Sequence, residues 1–323
     1  MHGWLEALSD ALTPARLWSS LPMGLALGAA SFLLALLLAN HWSRVRYFVR
    51  ISFYYVMVSA VSLFCCLPSL ATPKNPGNLL HVWRVFRGRS SWLFGVDFQV
   101  LHAERLQSLG SCILVANHQN SLDIIGIVCN WRLFHPCVPV MKRWFLFSGP
   151  VGLICWLSGS VFVDRSNSAR DRQALNAKLR DISEGRLSLF VFPEGTRNAE
   201  PQLLPFKKGA FYMALQCQVP IVPIVFSRYS GFFDVNKKIY NNGRVTMTVL
   251  PPVSTRGMDT DNVSELTSRV QALMQAHIDW ELSNDGQMAD TEDDGLGCGE
   301  TRNSPPPPCP VGRCSPDKSR TLI

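Results

Sequence analysis

Two uncharged runs near the start of this 323-residue chain constrain it more than anything else in the sequence. Residues 21–39, LPMGLALGAASFLLALLLA, carry no charge over nineteen positions, and residues 51–70, ISFYYVMVSAVSLFCCLPSL, carry none over twenty. Each reaches the roughly 20 residues that a helix needs to cross a bilayer core. A cleaved secretory signal fits the first run poorly, because Glu6 and Asp10 precede it and a second apolar run follows. The connector NHWSRVRYFVR holds Arg44, Arg46 and Arg50, while Lys74, Arg84, Arg87 and Arg89 follow the second run. Positive charge therefore flanks that run on both sides, and the positive-inside rule gives no orientation. Two full spans and a helical hairpin dipping into one leaflet fit equally well. Residues 1–75 are accordingly expected to form an N-terminal hydrophobic helical hairpin in a membrane.

A third uncharged stretch, residues 145–163, is not expected to be a span. Gly149, Pro150, Gly152 and Gly159 interrupt it, and GSVFVDR at its end has the character of a strand. It is read as a buried helix followed by a strand.

From Val96 onward the pattern becomes α/β. Strand-like runs fall at 96–100, 112–116, 138–141, 160–163, 187–192, 221–226 and 245–250. Helical spacing lies between them: Leu175, Leu179 and Ile182 before Gly185, then Ala210, Met213, Ala214 and Cys217. Asn262 with Glu265 resembles a capping box opening a helix that carries Leu266, Val270, Leu273 and His277 on one face. The fold class expected is α/β, a layered domain with a central mixed sheet and flanking helices, over residues 76–283. From about Asp285 the chain turns acidic and glycine-rich and ends in SPPPPCPVGRCSPDKSR. That composition cannot bury enough apolar surface to order itself, so residues 284–323 are expected to be a disordered tail.

Charge narrows the partners. The formal net charge is +7, but from Glu281 onward eight acidic and four basic side chains sum to −4, which leaves +11 on the body. A basic body points to phosphate-bearing ligands, anionic lipid or nucleic acid. No nucleic-acid recognition motif accompanies it. The ten cysteines include no CxxC pair and no His/Cys cluster of zinc spacing. They read as reduced thiols facing the cytosol.

The chemistry concentrates in two short stretches. In VANHQNSLD, residues 115–123, an apolar strand runs into His118, with Asp123 five residues on. Open α/β sheets place ligand sites at the carboxyl ends of their strands. Residues five apart on a straight helix point about 140° from each other, at roughly 100° per residue. The two side chains can thus meet only if His118 stands before the helix and folds back on Asp123 in its first turn. Asn117, Asn120 and Ser121 are residues that suit such a turn. An imidazole held by a carboxylate has the arrangement of a general base. The bland reading is that Asp123 caps a helix and His118 is an ordinary turn residue. No GxSxG elbow supplies a protein nucleophile, so the attacking group is expected to be a hydroxyl of the substrate.

The second stretch is LFVFPEGTRN, residues 189–198, where a strand runs into Glu194, Gly195, Thr196 and Arg197. Gly195 permits close backbone approach. Thr196 and Arg197 offer a hydroxyl and a fork of N–H donors suited to phosphate oxygens. Lys142, Arg143 and Arg165 at strand ends, and Lys207 and Lys208 at a helix start, add positive charge.

Four blocks in order resemble the glycerophospholipid acyltransferase family, and within it the 1-acyl-sn-glycerol-3-phosphate acyltransferases, over roughly residues 20–282. The blocks are His118-x4-Asp123; VPVMKRWFLFSGPVGLICWLSGSVFVDR (138–165); FPEGTRN (192–198) with LPFKKGAF (204–211); and VPIVPIVFS (219–227). Asn120 stands where a small residue is usual. The resemblance implies transfer of an acyl group from acyl-CoA to the sn-2 hydroxyl of lysophosphatidic acid, giving phosphatidic acid and CoA. It implies His118 as general base oriented by Asp123. Glu194, Gly195, Thr196 and Arg197 would bind the acceptor, with Arg197 on its phosphate and Lys142 as a second phosphate partner. Backbone N–H groups near Gly195 would steady the thioester oxyanion. Acyl-CoA is then a co-substrate, and no metal or bound cofactor is called for. Partners expected are acyl-CoA, lysophosphatidic acid and membrane lipids, with no nucleic acid and no stated oligomeric state. The expected place is a membrane, that of the endoplasmic reticulum, with the catalytic domain facing the cytosol and the Asn262-Val263-Ser264 sequon unglycosylated. Two rival readings are acyl transfer or transacylation to another lysophospholipid head group, and a membrane lipid-binding protein that retains the motifs without turnover.

Overall fold

Seven strands form one sheet, in the spatial order 96–101, 243–249, 221–226, 113–116, 188–191, 137–142 and 161–163. They belong to a computed structural model that describes residues 42–107, 109–163 and 178–292. The strands are β1 (Val96–Leu101), β2 (Ile113–Ala116), β3 (Cys137–Lys142), β4 (Val161–Val163), β5 (Ser188–Val191), β6 (Ile221–Phe226) and β9 (Gly243–Val249). Each falls on one of the seven runs expected, with ends shifted by a residue or two. Residues 21–39, Arg165, Leu175 and the tail from residue 293 lie outside the described residues.

Pairing is parallel from β6 through β2, β5 and β3 to β4, and antiparallel between β6 and β9. The register sets Ile113 beside both Leu189 and Ile221. All six residues of β6 and all four of β2 are buried. This is the reason both strands are continuously apolar: helices cover both faces of a parallel sheet, so neither face can afford polar residues. On one face the core is built from Ile113, Leu189 and Ile221 packed with Phe211, Leu266 and Val270.

Gly126, in helix Asp123–Cys129, sits directly on the ring of Phe98, where a Cβ would come within 2.6 Å. That lack of a side chain is what lets the helix carrying Asp123 lie close to the sheet.

Helix Val263–Glu292 presents Leu266, Val270, Met274 and Ile278 to the core. Its start differs from expectation. The capping box is one turn earlier, on the 3₁₀ turn Thr260–Asn262: Asp259 accepts from the N–H of Asp261, and Asn262 Oδ1 accepts from the N–H of Asp259. Asn262 therefore faces backward rather than toward Glu265. The helix continues to Glu292, nine residues past the expected end of the domain.

The 145–163 stretch is a helix and a strand, as read, but not a fully buried one. Helix Pro150–Leu157 buries Gly152, Ile154, Cys155 and Leu157 and leaves Leu153 and Trp156 exposed, and Phe147 before it is exposed too.

Chain contacts divide the molecule into two compact units: residues up to Val58 with Ser230–Gly243, and Ser59–Tyr229 with Arg244 onward. The smaller unit contains a hairpin that the sequence patterning did not reveal, β7 (Phe233–Asp234) against β8 (Ile239–Tyr240). Tyr240 is enclosed there, its carbonyl accepting from Arg50 at 3.4 Å and its ring lying 5.2 Å from that of Phe233. Arg50 belongs to helix Ser43–Ser69, the one described helix whose length and composition suffice to cross a membrane.

Candidate active site

Parallel pairing brings the carboxyl ends of β2, β3, β4, β5 and β6 to one edge of the sheet, and the expected site residues fall on the loops that leave that edge. After β2 the chain makes a compact turn stitched by side chains. Asn117 extends the β2–β6 pairing with its amide, accepting from the N–H of Phe226 at 2.8 Å and donating to its carbonyl at 3.1 Å. Gln119 Nε2 donates to the carbonyls of Phe226 and Ser227 at 3.0 and 2.8 Å. Asn120 Oδ1 accepts from the N–H of Leu122 at 2.8 Å. These bonds hold His118 outside the helix that opens at Asp123.

His118 Nδ1 lies 2.7 Å from Asp123 Oδ2. The same oxygen accepts the N–H groups of Gln119 and Asn120 at 2.7 and 3.0 Å. An oxygen taking backbone donors is an acceptor, so Nδ1 carries the proton, and in the neutral ring Nε2 holds the lone pair. Asp123 is 0% exposed, and its Oδ1 has no hydrogen-bond partner among the described residues. All the bonds of this carboxylate therefore converge on the imidazole and the turn that carries it. The ring of Phe192, at the end of β5, stacks on that of His118 at 4.0 Å and 18°. The imidazole is thus held by a hydrogen bond at its edge and by a ring on its face.

Glu194, which the resemblance puts among the acceptor-binding residues, turns away from solvent. It is 4% exposed and bonded inside the protein. Oε1 accepts the N–H of His118 at 3.0 Å; Oε2 accepts the N–H of Leu204 at 3.1 Å and Asn198 Nδ2 at 3.4 Å. Asn198 returns a bond from its own N–H to the carbonyl of His118 at 2.7 Å. Burial pushes the carboxyl of Glu194 above the ordinary glutamate range, against the pull of its backbone donors and of His118. Glu194 thereby ties the loop after β5 to the residue after β2.

Gly195 has φ +67°, in the left-handed region. The side chain of Lys207 lies across it, with Cε 2.8 Å from where a Cβ would stand, and the Lys207 N–H donates to the carbonyl of Pro193 at 2.8 Å. Thr196 and Arg197 project from the exposed part of this turn, and Lys142 is exposed at the end of β3. Among the described residues, no hydrogen bond joins these three to His118. Lys208, by contrast, is engaged with Ser264 Oγ at 2.8 Å. The structure thus singles out Lys207 from the Lys207-Lys208 pair, a distinction invisible in the sequence. It also places Arg228, which the motif reading passed over, beside Asn117, Gln119 and Asn198 around a crevice next to the His118 loop.

A deprotonated imidazole nitrogen, a buried carboxylate behind it and cations on adjoining loops form an arrangement that can take a proton from a hydroxyl next to an anionic group.

Comparison with known proteins gives four results. The family described as Acyltransferase matches residues 97–227. The chain is 36% identical over 252 residues to the human 1-acyl-sn-glycerol-3-phosphate acyltransferase beta, covering 76% of this chain and 88% of that one. It is 34% identical over 218 residues to the 1-acyl-sn-glycerol-3-phosphate acyltransferase of Salmonella typhimurium, covering 68% and 87%. The crystal structure of the 1-acyl-sn-glycerophosphate (LPA) acyltransferase PlsC from Thermotoga maritima superposes with a TM-score of 0.59, over 75% of this chain and 98% of that one. At 20% identity the last result speaks to the fold.

Proposed function

Because this chain belongs to the 1-acyl-sn-glycerol-3-phosphate acyltransferase family and is an acyltransferase enzyme, we propose that it acylates the sn-2 hydroxyl of lysophosphatidic acid with acyl-CoA as donor. The observation that carries the mechanism is the 2.7 Å bond between His118 Nδ1 and Asp123 Oδ2. It directs the lone pair of Nε2 away from the carboxylate and toward substrate.

In this reading Nε2 takes the proton of the acceptor hydroxyl as its oxygen attacks the thioester carbon. Asp123 stabilises the imidazolium that forms. The tetrahedral intermediate collapses with loss of the C–S bond, and the imidazolium returns the proton to the CoA thiolate. Phosphatidic acid and CoA leave. Arg197 and Lys207 bind the acceptor phosphate, with Lys142 as a further cation. Thr196 lines the acceptor, and Glu194 holds the His118 main chain in place; the Gly195 N–H, expected to face the thioester oxyanion, instead donates to the carbonyl of Phe192 at 3.1 Å. The lack of a GxSxG elbow in the sequence agrees with direct transfer to a substrate hydroxyl.

The test is an acyl-CoA and lysophospholipid panel run on the purified protein, on His118→Ala and on Arg197→Ala. Loss of nearly all transfer in His118→Ala with an unchanged thermal midpoint is expected. A preference for lysophosphatidylcholine over lysophosphatidic acid would overturn the acceptor assignment, and retained turnover in His118→Ala would overturn the mechanism.

A further inference from the structure

An apolar exposed surface of the larger unit lies on the same sheet edge as His118. Strand β3 is parallel to β5, and β5 to β2, so the segment leaving β3 departs from the edge where the His118 turn sits. That segment is the 3₁₀ turn Arg143–Phe147 followed by helix Pro150–Leu157. Trp144 is 64% exposed and Phe147 82%, and Leu153 and Trp156 are exposed on the helix. Lys142 and Arg143 are exposed at its base. The Lys74 ammonium rests on the Trp156 ring, 3.7 Å from its centroid. Single exposed apolar residues need no explanation, but two large aromatics beside cations on one short segment do.

The end of helix Ser43–Ser69 continues this surface. Its Ser62, Cys65, Cys66 and Ser69 are buried, whereas Leu63, Phe64 and Leu67, and Leu70 just beyond its end, are exposed. The polar and small residues thus face protein and the large apolar ones face outward, the inverse of a water-exposed helix. Three contacts join this part of the chain to helix Pro150–Leu157. Cys66 Sγ lies 3.8 Å from the carbonyl of Pro150, Asn78 Nδ2 donates to the carbonyl of Leu157 at 2.9 Å, and Lys74 covers Trp156.

We infer that residues 142–156 form a second membrane-contact element, docked on the interface of an anionic bilayer with Trp144 and Phe147 as its anchors. Aromatic rings prefer the headgroup level, and Lys142 and Arg143 sit where lipid phosphates would meet them. The docking sets the carboxyl edge of the sheet against the leaflet. A lysolipid then reaches His118 by lateral movement, with its acyl chain still in the bilayer. This element differs from the apolar N-terminal segments, since it belongs to the catalytic sheet itself. It deepens the proposed function by saying how a bilayer substrate arrives, and it rests on that reading for its kinetic arm only.

The test uses the full chain in phosphatidylcholine vesicles containing a minor fraction of phosphatidic acid and a lipid with a photoactivated carbene source in its acyl chain. Mass spectrometry of the labelled peptides should find label in 143–156 as well as in 51–70, and Phe147→Asp with Trp144→Asp should remove it from 143–156 alone. The same variant should raise KM for vesicle-borne lysophosphatidic acid about tenfold, from the loss of two interfacial aromatic anchors. Turnover of a short-chain, monomeric acceptor should stay as in the unmodified protein. Label confined to 51–70, crosslinking of 143–156 to residues 21–39, or an unchanged vesicle KM would each overturn the inference. If the unmodified protein turned over neither acceptor, the proposed function would fail while the labelling pattern still decided the docking.

Discussion

Glu194 accepts the main-chain N–H of His118 at 3.0 Å across 76 residues of sequence. The loop after β5 thus holds the residue after β2 by its backbone, while Asp123 holds the same residue by its ring. Position and tautomer of the imidazole have separate supports, and variants separate them.

Asp123→Asn tests the ring support. An amide oxygen can occupy the Oδ2 place and keep its three donors, but the charge that stabilises an imidazolium is gone. Its NH₂ would take the place of Oδ1, which has no partner. A fall in kcat of about 10² to 10⁴ is expected, with about 1–3 kcal/mol lost in stability for the unsatisfied donor. Steady-state kinetics and a thermal melt check both numbers.

Glu194→Gln tests the main-chain support. Both carboxylate oxygens accept backbone N–H groups, so an amide must set a donor against a donor. About tenfold loss in kcat is expected from displacement of His118, with KM for acceptor little changed. The opposite split, a raised KM and a normal kcat, would show Glu194 touching the acceptor instead. Asn198→Ala removes the 3.4 Å side-chain bond to Glu194, along with the bonds Asn198 makes to the Gln202 carbonyl and accepts from the Glu200 N–H, but leaves both backbone donors of Glu194 in place and should cost less in kcat.

The same carboxyl predicts a pH effect. Burial raises its folded value above the unfolded one, so protonation is favoured by folding. Its contribution to stability is full below the ordinary glutamate value of about 4.3 and is lost as pH rises through the folded value. The difference in unfolding free energy between the unmodified protein and Glu194→Gln should therefore shrink as pH rises across that window. A difference that grew with pH would contradict the assignment.

Gly195→Ala tests the cradle beneath the cation. The left-handed φ costs a Cβ about 1 kcal/mol, and the new methyl meets the Lys207 side chain. Displaced Lys207 should appear as a raised KM for lysophosphatidic acid with a nearly normal kcat. Lys207→Ala should reproduce the KM effect without the loss of stability.

Arg197→Ala removes an exposed fork of donors and no internal bond of the described structure. An increase of about tenfold or more in the acceptor KM is expected. Arg197→Lys should recover part of it, because charge remains and the paired geometry does not. Indifference of KM to both changes would move the phosphate to Lys207 and Arg228.

Local patterning carried the strands, the meeting of His118 with Asp123 and the apolar run 51–70, although the helix that holds it starts earlier, at Ser43, inside the expected connector. A strand buried on both faces must be apolar along its length, and a His/Asp pair five apart can meet in only one kind of turn. Those constraints act within a few residues and are readable in order along the chain. The strand order, the burial of Glu194, the passage of Lys207 over Gly195 and the hairpin at 233–240 are not. Each depends on which distant segments pack together: Glu194 lies next to His118 because β5 pairs with β2, and a buried acceptor in FPEGTRN looks the same in sequence as an exposed one. The outward face of residues 144–156 is of the same kind. Composition marked that stretch as apolar, and only the packing of helix Pro150–Leu157 on its neighbours separated the side chains that fill the core from those left to meet a membrane.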